Sequence, residues 1–214
     1  MTRGMQGSEA DRVRRIYDKM APRFDRKIRF WERTLFAGGR EWACSQATGD
    51  VLEIATGTGR NLPFYSSDVR LTGIEWSPVM LEHARTRAKD LGREVDLRLG
   101  NAEALEFPES SFDSVVCTLS LCSIPDDRRA VAEARRVLRP GGVFLLMEHV
   151  RSPVWIVSAG QRLLEPINVR FEGDHLLREP LDHLKAEGFA IEHVEQSKWG
   201  IVERIRARKP IETK

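Results

Sequence analysis

Along this chain, apolar runs of strand length alternate with stretches of helical periodicity, and that order restricts the fold more than any other feature of its 214 residues. Val51-Leu52-Glu53-Ile54-Ala55 is the first run, ending in the small-residue turn Thr56-Gly57-Thr58-Gly59. Arg70 to Glu75 is the second. Behind it Ser77 stands where a helix N-cap belongs and Pro78 at the first helical position, followed by Met80, Ala84, Ala88 and Leu91 on one stripe. Val95, Leu97 and Leu99 alternate as a third strand, and Phe112 to Leu119 form a fourth. Ala130, Val131, Ala134, Val137 and Leu138 mark the next helix, ended by Pro140-Gly141-Gly142, and Val143 to Met147 make a fifth, fully apolar strand. Strands separated by helical patterns imply parallel β-α-β units. The expected fold class is therefore α/β, an open doubly wound sheet covered on both faces.

The rest of the chain is different in kind. Trp155, Ile156, Val157, Leu163 and Leu164 precede the polar group Glu172-Gly173-Asp174-His175. A helix with Leu177, Leu181 and Leu184 stops at Gly188, and two strand-like runs, Phe189 to Val194 and Gly200 to Ala207, follow. At the other end, residues 1–40 carry eleven Lys/Arg against five Asp/Glu, whereas the whole chain has a formal charge of only +2. Within that arm Val13, Ile16, Tyr17 and Met20 share one helical face. Three accounts suit it: a packed helix, a cover for a ligand cleft, or a peripheral contact with an anionic membrane surface. The near-neutral total argues against a nucleic-acid partner. Cys44, Cys117 and Cys122 include no C-x-x-C pair, so neither a disulfide framework nor a metal site is expected. With no apolar run of signal-peptide or membrane-span character, the expected location is cytoplasmic.

In a doubly wound sheet ligands bind beyond the carboxyl ends of the strands, which directs attention to four strand tips. Residues 53–59 form a turn whose small side chains let a ligand approach the backbone closely. Glu75 lies eighteen residues beyond Gly57, near the spacing at which a carboxylate accepts hydrogen bonds from ribose hydroxyls. Gly100-Asn101-Ala102-Glu103 offers an amide and backbone to a purine amine edge, and Asp113 to Leu119 is the fourth place. A glycine loop with an acid at that distance points to an adenosine-containing ligand. A nicotinamide dinucleotide fits less well, because Ala55 and Leu62 stand where its fingerprint needs glycines. A non-catalytic nucleotide-binding module also remains open.

Taken in order, these blocks resemble the class I methyltransferases that use S-adenosylmethionine. The likeness covers Asp50 to Val150, with Leu138-Arg139-Pro140-Gly141-Gly142 matching the family's turn before strand five. It implies a seven-stranded, mostly parallel sheet with an antiparallel last strand, the Rossmann-like methyltransferase fold. It also implies a single domain: helical arm 1–45, cofactor core 50–150, substrate cap 151–175, and a final helix and strands over 176–214. Gly57 and Gly59 would lie against the methionyl and ribose parts, Glu75 on the ribose, and Trp76 beside the adenine. Asn101 and Ala102 would meet its amine edge, with Thr118 and Leu119 at the methionine end. Tyr17, Glu53, Ala55, Thr56, Asn61 and Leu62 complete the expected cofactor set. Ala55 replaces the commonest first glycine, and Asn101 stands where an aspartate is frequent. Tyr17 to Asp25 looks like the arm preceding the domain in quinone C-methyltransferases, where it folds over the cofactor. Val115 to Ser123, Met147 to Val150 and Gly173-Asp174-His175 are more similar to the thiol methyltransferases of animals, although residues 1–15 are polar and basic and an apolar N-terminal anchor like that group's is not expected.

Methyl transfer from a sulfonium needs a dry, collinear arrangement and no protein nucleophile. A base is needed only where the acceptor loses a proton; His149 after strand five is the first candidate and His175 the second. Trp155, Leu163, Leu164, Ile167 and Phe171, in the segment between strands five and six, are expected to give an apolar pocket. The expected partner is thus a small apolar or aromatic molecule.

Overall fold

In the computed structural model, which describes residues 9–211, one seven-stranded sheet runs in the order β3-β2-β1-β4-β5-β7-β6. The strands are β1 (Asp50–Ile54), β2 (Arg70–Glu75), β3 (Asp96–Leu99), β4 (Phe112–Thr118), β5 (Leu138–His149), β6 (Ala190–Ser197) and β7 (Val202–Arg208). β7 is antiparallel to both neighbours and the remaining pairs are parallel, as the family resemblance implied. The helices are α1 (Glu9–Thr34), α2 (Gly39–Cys44), α3 (Pro78–Asp90), α4 (Asp127–Val137), α5 (Trp155–Phe171) and α6 (Pro180–Ala186). Central strands β1, β4 and β5 are almost wholly buried, which is why they read as continuous apolar runs rather than alternating ones.

The junction from β2 to α3 forms as its residues dictate. Ser77 Oγ accepts from Met80 N at 3.1 Å, Pro78 occupies the first turn, and Met80, Ala84 and Ala88 face the core. Leu91 sits at the helix's C-cap, half exposed. Two expectations shift. β3 is an edge strand, so its alternation does not bury both Leu97 and Leu99; Leu99 is 54% exposed. Pro140-Gly141-Gly142 lies inside β5 instead of preceding it. Gly141 has φ +83°, its N–H donates to Lys209 O, and a side chain on Gly142 would meet the Asp113 carbonyl at 3.0 Å. These glycines therefore form an irregularity that starts the strand beside β4.

The glycine turn and the strand-four tip both lie at the carboxyl edge of the sheet, and α1 lies across them. This 26-residue helix carries Pro22 within it and packs on α3. The basic arm is thus a structural cover over the strand tips.

Candidate functional site

The turn after β1 is shaped by its backbone. Ala55 has φ +53° and Gly57 φ +60°, so an alanine holds a left-handed conformation that costs an L-residue about 1–2 kcal/mol. This strain stands where the resemblance expected a first glycine. The Thr56 N–H donates to Ile74 O across to β2, and Gly73 leaves room for the Thr56 hydroxyl, which a side chain there would meet at 2.5 Å. Glu75, at the β2 tip, is 8% exposed, and its two carboxylate oxygens accept from Gly57 N and Ser77 N, each at 2.8 Å. Burial raises its pKa; the N–H groups of Ser77, Gly57 and Trp76 oppose that rise by stabilising the charge.

A narrow cleft of about 100 Å³ opens between these tips and α1. Tyr17, Ala55, Thr56, Gly57, Glu75, Trp76, Asn101, Ala102, Thr118 and Leu119, all expected at the cofactor, line it. Four expected residues do not. Gly59 has φ +76°, and a side chain on it would meet Leu62 and Ala84 at 3.0–3.3 Å, so it lets the turn pack on α3. Leu62 is fully buried in the core. Glu53 and Asn61 form a layer behind the cleft: Asn61 Nδ2 donates to Glu53 at 3.1 Å and to Thr118 Oγ1 at 2.9 Å. Glu53 is pushed up to about 7 by burial.

The sequence carried no signal for Arg40, yet it lines the cleft and ties that layer together. Its guanidinium donates to Asn61 Oδ1 at 2.9 Å, to Thr118 Oγ1 at 2.8 Å and to Glu32 of α1 at 2.6 Å. α1 is fastened at further points along the β2–α3 wall. Asp18 accepts from Ser77 Oγ at 2.5 Å, and Asp25 accepts from Thr58 Oγ1 at 2.6 Å and pairs with Arg87. Glu32 pairs with Arg60, and the Arg14 guanidinium lies 5.9 Å from the centre of the Trp76 ring. On the opposite side Arg12 donates to Val169 O, Lys27 pairs with Glu172, and Tyr17 O–H donates to Asp174 at 2.7 Å.

The donor set fits S-adenosylmethionine. Glu75 is held by backbone on one side, with lone pairs free for ribose hydroxyls. Trp76 Nε1 is buried without a partner. Asn101 Oδ1 accepts from Glu103 N, which leaves its amide NH2 as the donor it can offer a purine edge.

At the β4 end Leu119 takes φ +53°, a second left-handed non-glycine residue in the cleft. Glu148 fixes the loop beyond it by accepting from Ser120 N at 2.6 Å and Leu121 N at 2.9 Å; burial lifts its pKa to about 7. His149 and His175 do not line the cleft. His149 groups with Cys122 and Asp174, their donor atoms all within 4.8 Å. Its Nδ1 has no partner, and burial lowers its pKa to about 4, which keeps the ring neutral. His175 Nδ1 lies 3.0 Å from Glu165 on α5 and its backbone N–H donates to Cys122 O, so it is turned into the α5 contact. The group from this region that reaches the cleft wall is Tyr17, backed by Asp174, which burial raises to about 6.

The expected apolar cap does not form. Trp155, Leu163, Leu164, Ile167 and Phe171 point away from the cleft and are 55–77% exposed. The inner face of α5 is polar: Gln161 donates to Val150 O and Leu176 O, Glu165 accepts from Leu176 N, and Asn168 donates to Asp174 O. The cleft owes its apolar lining to Val13, Phe24, Leu119, Ile124 and Pro125 instead.

Comparison with known proteins bears on this geometry. The family described as "Methyltransferase domain" matches residues 52–146. Phosphatidylethanolamine N-methyltransferase of Cereibacter sphaeroides is 41% identical over 126 residues, 58% of this chain and 60% of that protein, so the match spans under two thirds of its length. Thiol S-methyltransferase TMT1A of Homo sapiens is 33% identical over 77% of this chain and 70% of that protein. Demethylmenaquinone methyltransferase of Deinococcus radiodurans is 31% identical over 68% and 63% respectively. Among solved structures, an S-adenosylmethionine-dependent methyltransferase of Thermotoga maritima, titled a possible histamine N-methyltransferase, superposes with a TM-score of 0.72 at 23% identity. It covers 92% of this chain and 99% of that one. Both branches that the sequence resembles are represented among the relatives.

Proposed function

The chain belongs to the S-adenosylmethionine-dependent methyltransferases, and on that premise we propose that it methylates a small, largely apolar or aromatic acceptor. When bound, S-adenosylmethionine supplies an electrophilic methyl group on a sulfonium. Glu75 would hold the ribose, Thr56 and Gly57 the adjacent backbone-lined stretch, Trp76, Asn101 and Ala102 the adenine, and Thr118 and Leu119 the methionine end. Val13, Phe24, Leu119, Ile124 and Pro125 exclude water from the space beyond, which favours transfer by keeping a charged donor in a dry, oriented setting.

The observation that carries the reading is Tyr17 O–H donating to Asp174 at 2.7 Å at the cleft wall. Where the acceptor must lose a proton, Tyr17 orients it and Asp174 takes the proton through the hydroxyl; Asp174's raised pKa favours the protonated product. His149 and Cys122 support Asp174 from behind and His175 holds α5, so neither histidine serves as the contacting base. The relatives' names, for a phospholipid amine, a thiol and a quinone precursor, support an acceptor that is apolar in body and nucleophilic at one atom. A cytoplasmic setting is supported by the three free thiols of Cys44, Cys117 and Cys122. Peripheral membrane contact is supported by the basic arm; among the described residues no helix is long and apolar enough to cross a membrane. Methyl transfer from labelled S-adenosylmethionine to a panel of phenols, quinols, amines and thiols tests the proposal. Turnover of apolar panel members is expected; preference for a protein or nucleic acid over all of them overturns it.

A further inference from the structure

α5 is an amphipathic helix installed inside out. Ser158 and Gln161 are buried, with Glu165 and Asn168 turned toward the protein, while Trp155, Ile156, Leu163, Leu164, Ile167 and Phe171 form its outer face. Burial ordinarily selects the opposite orientation, since each large apolar side chain left in water forgoes about 1.5–3 kcal/mol. The inversion is enforced by the hydrogen bonds of Gln161, Glu165 and Asn168 to the backbone of residues 150–176, so it is specified rather than accidental. The apolar surface extends at one end to Trp199, 72% exposed, whose carbonyl accepts from Ser152 Oγ just before α5. At the other end α1 abuts it through Arg12 and Lys27.

The charges around this face select its occupant. Arg15, Lys19, Arg23, Arg26, Arg29 and Arg33 are exposed on α1 and have no anionic partner among the described residues. The cations of α1 that do pair, Arg12, Arg14 and Lys27, are engaged with acidic neighbours. On α5, exposed Arg162 and Arg170 flank the apolar stripe, with Arg170 stacked on Phe171. A second copy would set these unpaired cations against each other across a two-fold interface. An apolar stripe bordered by free Arg and Lys is instead complementary to a bilayer with anionic headgroups.

We infer that α5 is a membrane-docking helix, seated with its outer face among the acyl chains while the free cations of α1 contact anionic lipid phosphates. For its purpose, delivery of an apolar acceptor from the lipid phase to the same edge of the sheet, this rests on the acceptor reading above. The docking geometry stands without it.

The test is sedimentation with vesicles of phosphatidylcholine alone and of phosphatidylcholine mixed with phosphatidylglycerol. Binding to the mixed vesicles is expected, weaker to the neutral ones and weakened by salt. The Leu163→Asp/Ile167→Asp double variant abolishes it, and Trp155→Ser weakens it. With each surface cation worth about fivefold, Arg23→Gln/Arg26→Gln/Arg29→Gln lowers affinity for mixed vesicles by about 100-fold. S-adenosylhomocysteine binding by calorimetry, unchanged in every variant, verifies the fold. Vesicle binding that is absent, or unaffected by the α5 variants, overturns the inference. So does a concentration-dependent dimer that Leu163→Asp/Ile167→Asp dissociates, which assigns the face to a second copy. Methyl transfer to water-soluble acceptors is scored separately, so loss of docking and failure of the methyltransferase reading are distinguishable.

Discussion

Glu75→Ala tests the ribose site and the loop that builds it in one experiment. In the wild type the carboxylate accepts from Gly57 N and Ser77 N, both at 2.8 Å. Removing it leaves the buried Ser77 N–H and the part-buried Gly57 N–H without partners, at about 1–3 kcal/mol for the first and less for the second. Against this stands relief of the desolvation that raises the Glu75 pKa, so the net loss of folding stability is expected to be about 2 kcal/mol. Cofactor binding loses more in relative terms. Two ribose hydroxyls bonded to a carboxylate are worth about 1.5–3 kcal/mol each, which corresponds to at least about 100-fold in affinity. The assay is calorimetric titration with S-adenosylhomocysteine, alongside urea unfolding without ligand. Ser77→Ala is the control: it removes the N-cap acceptor of Met80 and the contact to Asp18, so it lowers stability by about 1 kcal/mol and touches the ribose site only indirectly. If Glu75→Ala loses stability yet binds S-adenosylhomocysteine like wild type, the carboxylate is a loop brace and the ribose placement is wrong.

Three further outcomes follow from the geometry. Ala55→Gly relieves left-handed strain but frees the unfolded chain, so its urea midpoint is expected near that of wild type, whereas Ala55→Val costs about 2 kcal/mol or more; tolerance of valine would refute the turn. Glu53 and Glu148, both lifted to about 7 by burial, keep protons in the native state that the unfolded chain gives up above pH 4.5. Stability from these groups is thus full below that pH and lost as pH rises to 7, by at most about 3 kcal/mol per group, so the midpoint should be lower at pH 8 than at pH 5 and the slope shallower in Glu148→Gln. Tyr17→Phe removes the hydroxyl that passes the proton to Asp174 and holds the Asp174 pKa down, so turnover of acceptors that lose a proton falls by about 100-fold or more and the acidic limb of the residual rate moves to higher pH, while S-adenosylhomocysteine affinity stays within about threefold, roughly 0.6 kcal/mol. An unmoved limb would separate Asp174 from the chemistry.

The parts of the fold legible in the sequence are those where one physical demand acts on neighbouring residues. β1, β4 and β5 are buried on both faces and so appear as unbroken apolar runs; Ser77 and Pro78 mark a helix start because cap chemistry is local. β3 misleads because an edge strand meets the core on fewer sides, and Pro140-Gly141-Gly142 because the same residues that stop a helix also form the irregular first turn of a strand. α5 misleads most. Its apolar residues have helical spacing, and spacing alone does not reveal which face meets the protein; that is decided by backbone acceptors at Val150, Asp174 and Leu176, which no periodicity encodes.

The same distinction divides the site. The proposed cofactor half is written in consecutive residues, since a turn, a strand tip and a cap present backbone groups whose positions follow from local conformation; Gly57, Glu75 and Ser77 are therefore found together in the sequence pattern and in space. The acceptor half is assembled from side chains far apart in the chain. Tyr17 meets Asp174 across 157 positions, through a contact that exists only once α1 has closed over the sheet. Histidines near strand ends attract attention because imidazole titrates near neutrality, but burial takes His149 out of that range, and it brings Asp174, whose ordinary pKa is far lower, up to about 6. The group proposed to accept a proton here thus has its pKa set by its surroundings. Because α1 supplies Tyr17 and also fastens to Ser77, Thr58 and Arg60 on the cofactor wall, formation of the acceptor half is coupled to closure over the cofactor half. Cofactor binding that stabilises the closed arm should therefore order Tyr17 against Asp174 before an acceptor arrives.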